Sequence, residues 1–281
     1  MMQQVPFWKY ESCGNDFIFI EDHAKTFEKD CPKMQSWIRH LCARRFGVGA
    51  DGLVVLQKQG EQQFTMLYFN ADGRPADFCG NAALCVSKHV GEKELNLTSG
   101  TEEYITASLG ENWHSVSMPG NAQVSLQEKA PAIEEAIHLI TLGVRHGVIF
   151  QETMQDLPIK ALRNAFDANI SVVTDREGSY HVKTFEKGVE DFTWGCASAS
   201  AAIASICYFL HNDPGPFMFR FKGGCLHVHL RLREHPEQKP TIDSVEVLGL
   251  PRLVYRGFGK HYENWDTERS QESRIPSGAY A

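Results

Sequence analysis

Two cysteines stand in matching surroundings. Cys79 opens the run Cys79-Gly80-Asn81-Ala82-Ala83, and Cys196 opens Cys196-Ala197-Ser198-Ala199-Ser200, 117 residues later. Each precedes small residues that read as a helix, where unpaired backbone N–H groups and the positive dipole end favour an anion. Such a position lowers a thiol's pKa and predicts thiolate near neutral pH. The same N–H groups can hold a carboxylate. A single cysteine so placed suits a nucleophile, whereas a matched pair suits a symmetrical task. Racemisation is one: a thiolate on one face of a carbon removes a proton while a thiol on the other face delivers one. No lysine site or glycine-rich phosphate loop for a pyridoxal cofactor stands out, so no cofactor is expected. The carbanion must then rely on the helix-end dipoles and the exclusion of water. Acyl transfer by one thiol with His146 as its base, a thiol redox pair without a Cys-x-x-Cys arrangement, and a non-catalytic binding module stay open at this level.

The elements that must position these residues are mostly short strands. Phe17–Ile20, Leu53–Gln57, Phe64–Phe69, Leu95–Leu97, Tyr104–Ser108 and His114–Met118 read as strands, several with apolar/polar alternation. Helices are expected over Met34–Arg45, whose Trp37, Ile38 and Leu41 form a stripe, and over Ala82–Val90. After Pro119-Gly120-Asn121 the pattern restarts with strands at Val148–Phe150, Ser171–Val173, Tyr180–Phe185, Phe217–Phe221, Leu226–Leu232 and Val245–Leu248, around a helix at Ser198–Leu210. Two halves, each with one long helix introduced by a cysteine, hint at an internal duplication. The remaining cysteines, including Cys13, Cys85 and Cys207, read as small buried thiols. His227 and His229 alternate on one strand and, with Cys225, read as a barrel face. Asp51 and Asp72 read as turn residues.

The chain has 28 Lys+Arg against 35 Asp+Glu, a net charge of −7, and no long basic cluster, which argues against a nucleic-acid partner. Residues 192–210 carry no charge over nineteen positions, but their serines and glycine suit a buried helix better than a membrane span. The N-terminus lacks a basic segment followed by an apolar one, so a cytoplasmic location with reduced cysteines is expected.

Cys13-Gly14-Asn15-Asp16-Phe17, Arg45-Phe46-Gly47-Val48-Gly49-Ala50-Asp51-Gly52, Asn70-Ala71-Asp72-Gly73 and Cys79-Gly80-Asn81 resemble, in order and spacing, the diaminopimelate epimerase family. Gly143-Val144-Arg145-His146, Ala168-Asn169-Ile170 and Glu186-Lys187-Gly188 extend the resemblance, which runs from about Tyr10 to Phe258. It implies an α+β fold of two similar domains, residues 1–119 and 120–260, each wrapping antiparallel strands around a central helix, with the active site in the cleft between them. Residues 261–281 read as a polar tail. The implied reaction interconverts LL- and meso-diaminopimelate in lysine and peptidoglycan precursor synthesis, with no cofactor and no metal. A racemase of different specificity, acting for example on glutamate, is the alternative. On this mapping Cys79 and Cys196 are the two bases, and His146 and Glu186 assist proton movement at them. Asn15, Asn70, Asn169 and Lys187 match substrate contacts, and Gly80, Asn81, Ala197 and Ser198 match the helix ends that hold the reacting carboxylate. A homodimer is the assembly to test, with no membrane partner.

Four departures fall in the second half. Cys196-Ala197-Ser198-Ala199 replaces the family's Cys-Gly-Thr/Ser-Gly run, and the Glu186-to-Cys196 spacing is one residue longer than usual. Asp191 is a candidate to share the role of Glu186 in that longer loop. Lys187 stands for the customary Arg and Val144 for the customary Asn, which predicts looser recognition at the far end of the substrate.

Overall fold

A computed structural model describes residues 4–27, 31–110, 112–130, 133–176, 178–235 and 238–260. The expected tail from residue 261 lies outside them. The first half runs β1 (Gln4–Ser12), β2 (Asn15–Glu21), α1 (Pro32–Cys42), β3 (Gly52–Lys58), β4 (Gln63–Asn70), β5 (Pro75–Ala76), α2 (Gly80–Val90), β6 (Glu94–Ser99), β7 (Glu102–Ser108) and β8 (His114–Pro119). The second runs β9 (Gln123–Lys129), β10 (Ala136–Leu142), β11 (Val144–Phe150), α3 (Ile159–Phe166), β12 (Asn169–Arg176), β13 (Ser179–Glu186), β14 (Asp191–Thr193), α4 (Ala197–His211), β15 (Phe217–Phe221), β16 (Gly224–His235) and β17 (Gln238–Gly249). β18 (Arg252–Lys260) closes the described chain.

The pairing scheme repeats. β1–β2 is antiparallel, β2–β3 parallel, β3–β4 antiparallel, β4–β6 parallel, and β6–β7–β8 antiparallel. In the second half β10–β11, β11–β12, β12–β13, β13–β15 and β15–β16–β17 follow the same sequence of senses. Parallel neighbours need a crossover connection, and a helix fills each one: α1 and α2 in the first half, α3 and α4 in the second. The short β5 and β14 attach to β4 and β13. β8 pairs with β17 and joins the two series into one ladder. β9 extends the second series through β10, whereas β18 extends the first through β1. Residues 252–260, expected in the second half, have the N-terminal strand as their hydrogen-bonded neighbour.

Packing explains the small-residue helices. From Gly80 to Ser87 every residue of α2 is buried, with strands β1, β6, β7, β8, β17 and β18 around it. α4 is buried along almost its whole length against β10, β11, β16 and β17. Alanines and serines let strands approach from all sides, and Ser200 and Ser205 satisfy their hydroxyls on the carbonyls of Cys196 and Ala201. No helix among the described residues is long and apolar enough to cross a membrane. α1 stops at Cys42, before the expected Arg45, because the N–H groups of Gly49 and Ala50 take up the carbonyls of Leu41 and Cys42.

Candidate active site

Cys79 and Cys196 are the N-caps of α2 and α4 and share one backbone conformation, with φ,ψ of −140°,113° and −142°,110°. The N–H groups of Asn81 and Ala82 favour the Cys79 thiolate and that of Ala199 the Cys196 thiolate, although neither sulfur makes a cap hydrogen bond. The two helix ends abut: a Cβ on Gly80 would lie 2.7 Å from the Cβ of Ala197, so only glycine fits there. Both thiols open onto one cleft of about 610 Å³. Its wall also carries Asn15, Asn70, Gly80, Asn81, Asn169, Glu186, Lys187, Ala197 and Ser198.

His146 is the exception among the residues chosen from the sequence. It is fully buried and does not line the cleft. Its Nε2 meets Ser198 Oγ at 3.1 Å, and Ser198 Oγ lies 3.4 Å from Cys196 Sγ. His146 lies on an interior face of β11, and the Ser198 hydroxyl stands between it and the Cys196 sulfur. Burial pushes the His146 pKa down to about 4, so the imidazole is neutral near pH 7.

Glu186 sits partly buried beside the thiols and hydrogen-bonds with the Cys196 thiol. Its Oε1 accepts a hydrogen bond from Thr193 Oγ1 at 2.7 Å. Asp191 faces Glu186 across the β13–β14 ladder and lines the cleft, but Thr193 is the β14 residue that holds the Glu186 carboxylate. Burial raises the Glu186 carboxyl above its usual range.

Electrostatics reverses one sequence expectation. Burial pushes Cys79 up to about 12 and Cys196 well above its ordinary value, and the helix-end N–H groups only partly offset it. A desolvated thiolate loses more hydration than one or two helix N–H groups return, so burial favours the thiol form of both sulfurs.

Several wall residues escaped the sequence reading. Tyr68 is buried on β4, lines the cleft and hydrogen-bonds Cys79 through its phenol. Gly52 makes room for it, since a Cβ there would lie 2.9 Å from the Tyr68 oxygen. Asp51, read as a turn residue, is on the wall beside Arg44. Arg44 forks onto Asp16 at 3.0 and 2.8 Å and reaches Asp51 at 2.6 Å, while Lys9 Nζ sits 2.7 Å from Asp16. Burial opposes ionisation of Asp16, but hydrogen bonds from Arg44 and Lys9 win and hold its carboxyl down at about 2. Arg145, next to Val144, also lines the cleft. Lys187 is tied at 2.7 Å to Asp167, and its N–H donates to Asn169 Oδ1 at 2.8 Å. Asn81 donates to the Gly195 carbonyl at 2.9 Å, which leaves its Oδ1, like that of Asn15, buried without a partner among the described residues. Two unused acceptors on a cleft wall suit a donor-rich ligand group such as an ammonium. The signal for Tyr68 and Arg44 is three-dimensional; neither belongs to a motif whose spacing announces it.

The family model for diaminopimelate epimerase matches residues 7–123. A diaminopimelate epimerase from Methanopyrus kandleri is 30% identical, the alignment covering 98% of this chain and 97% of the relative. Another, from Flavobacterium psychrophilum, is 31% identical over 70% of this chain and 79% of the relative. The chain belongs to the diaminopimelate epimerase family. It is an isomerase of that family. The fold is shared more widely: a phenazine biosynthesis protein of the PhzF family from Bacillus anthracis superposes with a TM-score of 0.71 at 12% identity, covering 92% of this chain and all of that one. A hydroxyproline epimerase from Agrobacterium vitis, solved with trans-4-hydroxy-L-proline, superposes with a TM-score of 0.69 at 12% identity over 91% of each chain. The α+β architecture built from repeated strand-and-helix units is therefore that of the epimerase-like folds as well as of the diaminopimelate epimerase family.

Proposed function

We propose that this chain interconverts LL- and meso-diaminopimelate by two-base proton transfer at one α-carbon, serving lysine and peptidoglycan precursor synthesis. The observation that carries the reading is the matched pair of N-cap thiols on helices whose first residues touch. Two similar lobes meet there, one built on α2 and completed by β18, the other built on α4, with the boundary near residue 119 and the reaction in the cleft between them. The reacting carboxylate sits on the N–H groups of α2 and α4 at Gly80, Asn81, Ala197 and Ser198. Asn15, Asn70 and Asn169 contact the amino-acid groups.

One thiol must first become a thiolate. Glu186, whose carboxyl burial raises above its usual range, is positioned to exchange a proton with Cys196, and Tyr68 donates to the Cys79 sulfur. A thiolate formed in a water-poor cleft is a stronger base than one in solution, which suits a weakly acidic α-C–H. The base takes the α-proton from one face, the carbanion is held by the helix ends, and the opposite thiol delivers a proton and leaves a thiolate. The reverse reaction exchanges their roles. His146 acts through Ser198 by fixing that hydroxyl next to Cys196. At the far end, Arg44, Arg145 and Asp167 supplement Lys187 and Val144, which makes distal recognition the part most open to change. A cytoplasmic homodimer fits this reading, the apolar Val254 and Phe258 exposed on β18 supporting a paired assembly.

The test is incubation with LL-diaminopimelate in deuterium oxide. Enzyme-dependent deuterium uptake at the α-carbon with inversion is expected, and Cys79→Ala and Cys196→Ala should each abolish turnover. Racemisation at near-normal rate by Cys196→Ala would refute the two-base assignment. If Val144 and Lys187 loosen distal recognition, glutamate should show slow α-proton exchange that a Val144→Asn, Lys187→Arg double variant reduces.

A further inference from the structure

We propose a second, anion-binding site outside the cleft, built to hold a small molecule that carries a diphosphate group. It lies where the ladder of the second half has a gap. Along one edge of β13, Thr184, Phe185 and Glu186 pair with β14, while Tyr180 and His181 pair with β15. Among the described residues, Val182 and Lys183 have no strand partner on that edge, and the space between β14 and β15 opens into a concavity of about 880 Å³. Five cationic or ionisable basic side chains converge on it: Arg176, His181, Lys183, Arg220 and Lys222. No carboxylate is among its described lining residues, in a chain of net charge −7. The catalytic cleft is different in kind, since Asp51, Asp77, Asp167, Glu186 and Asp191 share its wall with the cations.

A basic outer face is commonly just solvated. Two further observations set this one apart. Thr174 lines the concavity with its side chain fully buried, and its hydroxyl has no hydrogen-bond partner among the described residues. A buried hydroxyl without a partner, in a recess ringed by cations, is a donor awaiting an acceptor. The cations are also pre-positioned. Arg220 donates to Ser179 Oγ at 3.3 Å and to Cys225 Sγ at 3.6 Å, and Lys222 Nζ stands 4.2 Å over the Trp194 ring. Holding a side chain in place before a ligand arrives removes part of the entropy cost of binding.

The chemistry favours phosphate oxygens. A guanidinium fork suits them in pairs, and several converging charges exceed what one carboxylate would neutralise. The cations converge into a recess instead of lining an extended stripe, which suits a compact ligand better than a nucleic-acid strand. Phe192, Thr193 and Trp194 line both the recess and the cleft, and Thr193 holds Glu186, so occupancy will be felt at the catalytic carboxylate.

The experiment is calorimetric titration of the full chain with sodium pyrophosphate at constant ionic strength. Saturable one-to-one binding is expected, weakened at least tenfold by Arg220→Ala or Lys183→Ala and severalfold by the near-isosteric Thr174→Val. Arg220→Ala should keep its far-ultraviolet dichroism and its unfolding temperature, which separates loss of the site from loss of the fold. Binding that is absent, or unchanged in all three variants, overturns the site. Orthophosphate or a single-stranded oligonucleotide binding as tightly as pyrophosphate overturns the diphosphate assignment. The readout is binding alone, so the result stands apart from the epimerase reading.

Discussion

Tyr68 and Glu186 make the two thiols chemically unequal. Cys79 has a phenol donor, whereas Cys196 has a carboxyl and a Ser198–His146 pair. Tyr68→Phe removes a hydrogen bond that favours the Cys79 thiolate without changing the ring that packs on Phe17. A hydrogen bond to a charged group contributes about 1.5–3 kcal/mol, so alkylation of Cys79 by iodoacetamide at fixed pH should slow roughly tenfold or more. Racemisation should fall in proportion, and an unchanged alkylation rate would remove Tyr68 from the assignment. His146 carries a prediction about stability. Its folded pKa of about 4 lies below its ordinary value of 6.5, so the unfolded chain binds the proton more tightly. Its contribution is complete above pH 6.5 and is lost as pH falls toward 4, a loss of about 3 kcal/mol. His114, pushed to about 4 by burial and then by Lys88, adds in the same direction. Urea unfolding at pH 7, 5.5 and 4.5 should show the decline, and His146→Gln should flatten it.

Helix ends, more than side chains, set the distance between the sulfurs. Gly80→Ala places a methyl group 2.7 Å from the Ala197 Cβ, a contact that neither backbone can relieve by rotating a side chain. The helices must part, and overpacking of this kind costs about 1–3 kcal/mol. Because the thiols have to flank a single carbon, kcat should drop at least tenfold, measurable alongside the urea midpoint. Ala197→Gly in the same chain should restore both; failure to do so would show that the approach of α2 to α4 is not what limits the reaction. This level was also the most legible from sequence. An unbroken apolar run announced β2, alternation announced β4 and β7, and the small-residue runs after Cys79 and Cys196 announced α2 and α4. β9 was not seen, since its Gln123–Lys129 run is mostly polar and exposed. β18 was not seen because Gly257 and Gly259 interrupt its alternation. α3 spans only eight residues, too short for periodicity to speak. His146 was found by its motif, but its interior position on β11 was not legible, since strand parity is decided by pairing, which a sequence does not display. The thiol pKa values were misjudged for a related reason: the helix terminus is local and readable, whereas the burial that outweighs it is tertiary.

At the scale of the whole molecule, one ladder runs through both halves, and among the described residues β8 and β17 join the two series. The pairing stays continuous through that junction, so variants that weaken β8–β17 should loosen the cleft before they unfold either series. Iodoacetamide access to Cys196 in a Val116→Gly variant, compared with its global unfolding, measures this: faster alkylation at unchanged secondary structure is expected. The pairing of β18 with β1 has another consequence, which concerns the order in which the chain is made. Of the described strands, β1 is made before the others, and its partner on one side, β18, after them. Until residues 252–260 are synthesised, the first series has an open edge exposing the backbone groups of Gln4–Glu11, a template for unwanted pairing with other chains. The second series has β9 beside β10 as soon as both are made, so among the described strands the series that begins first is the one completed last.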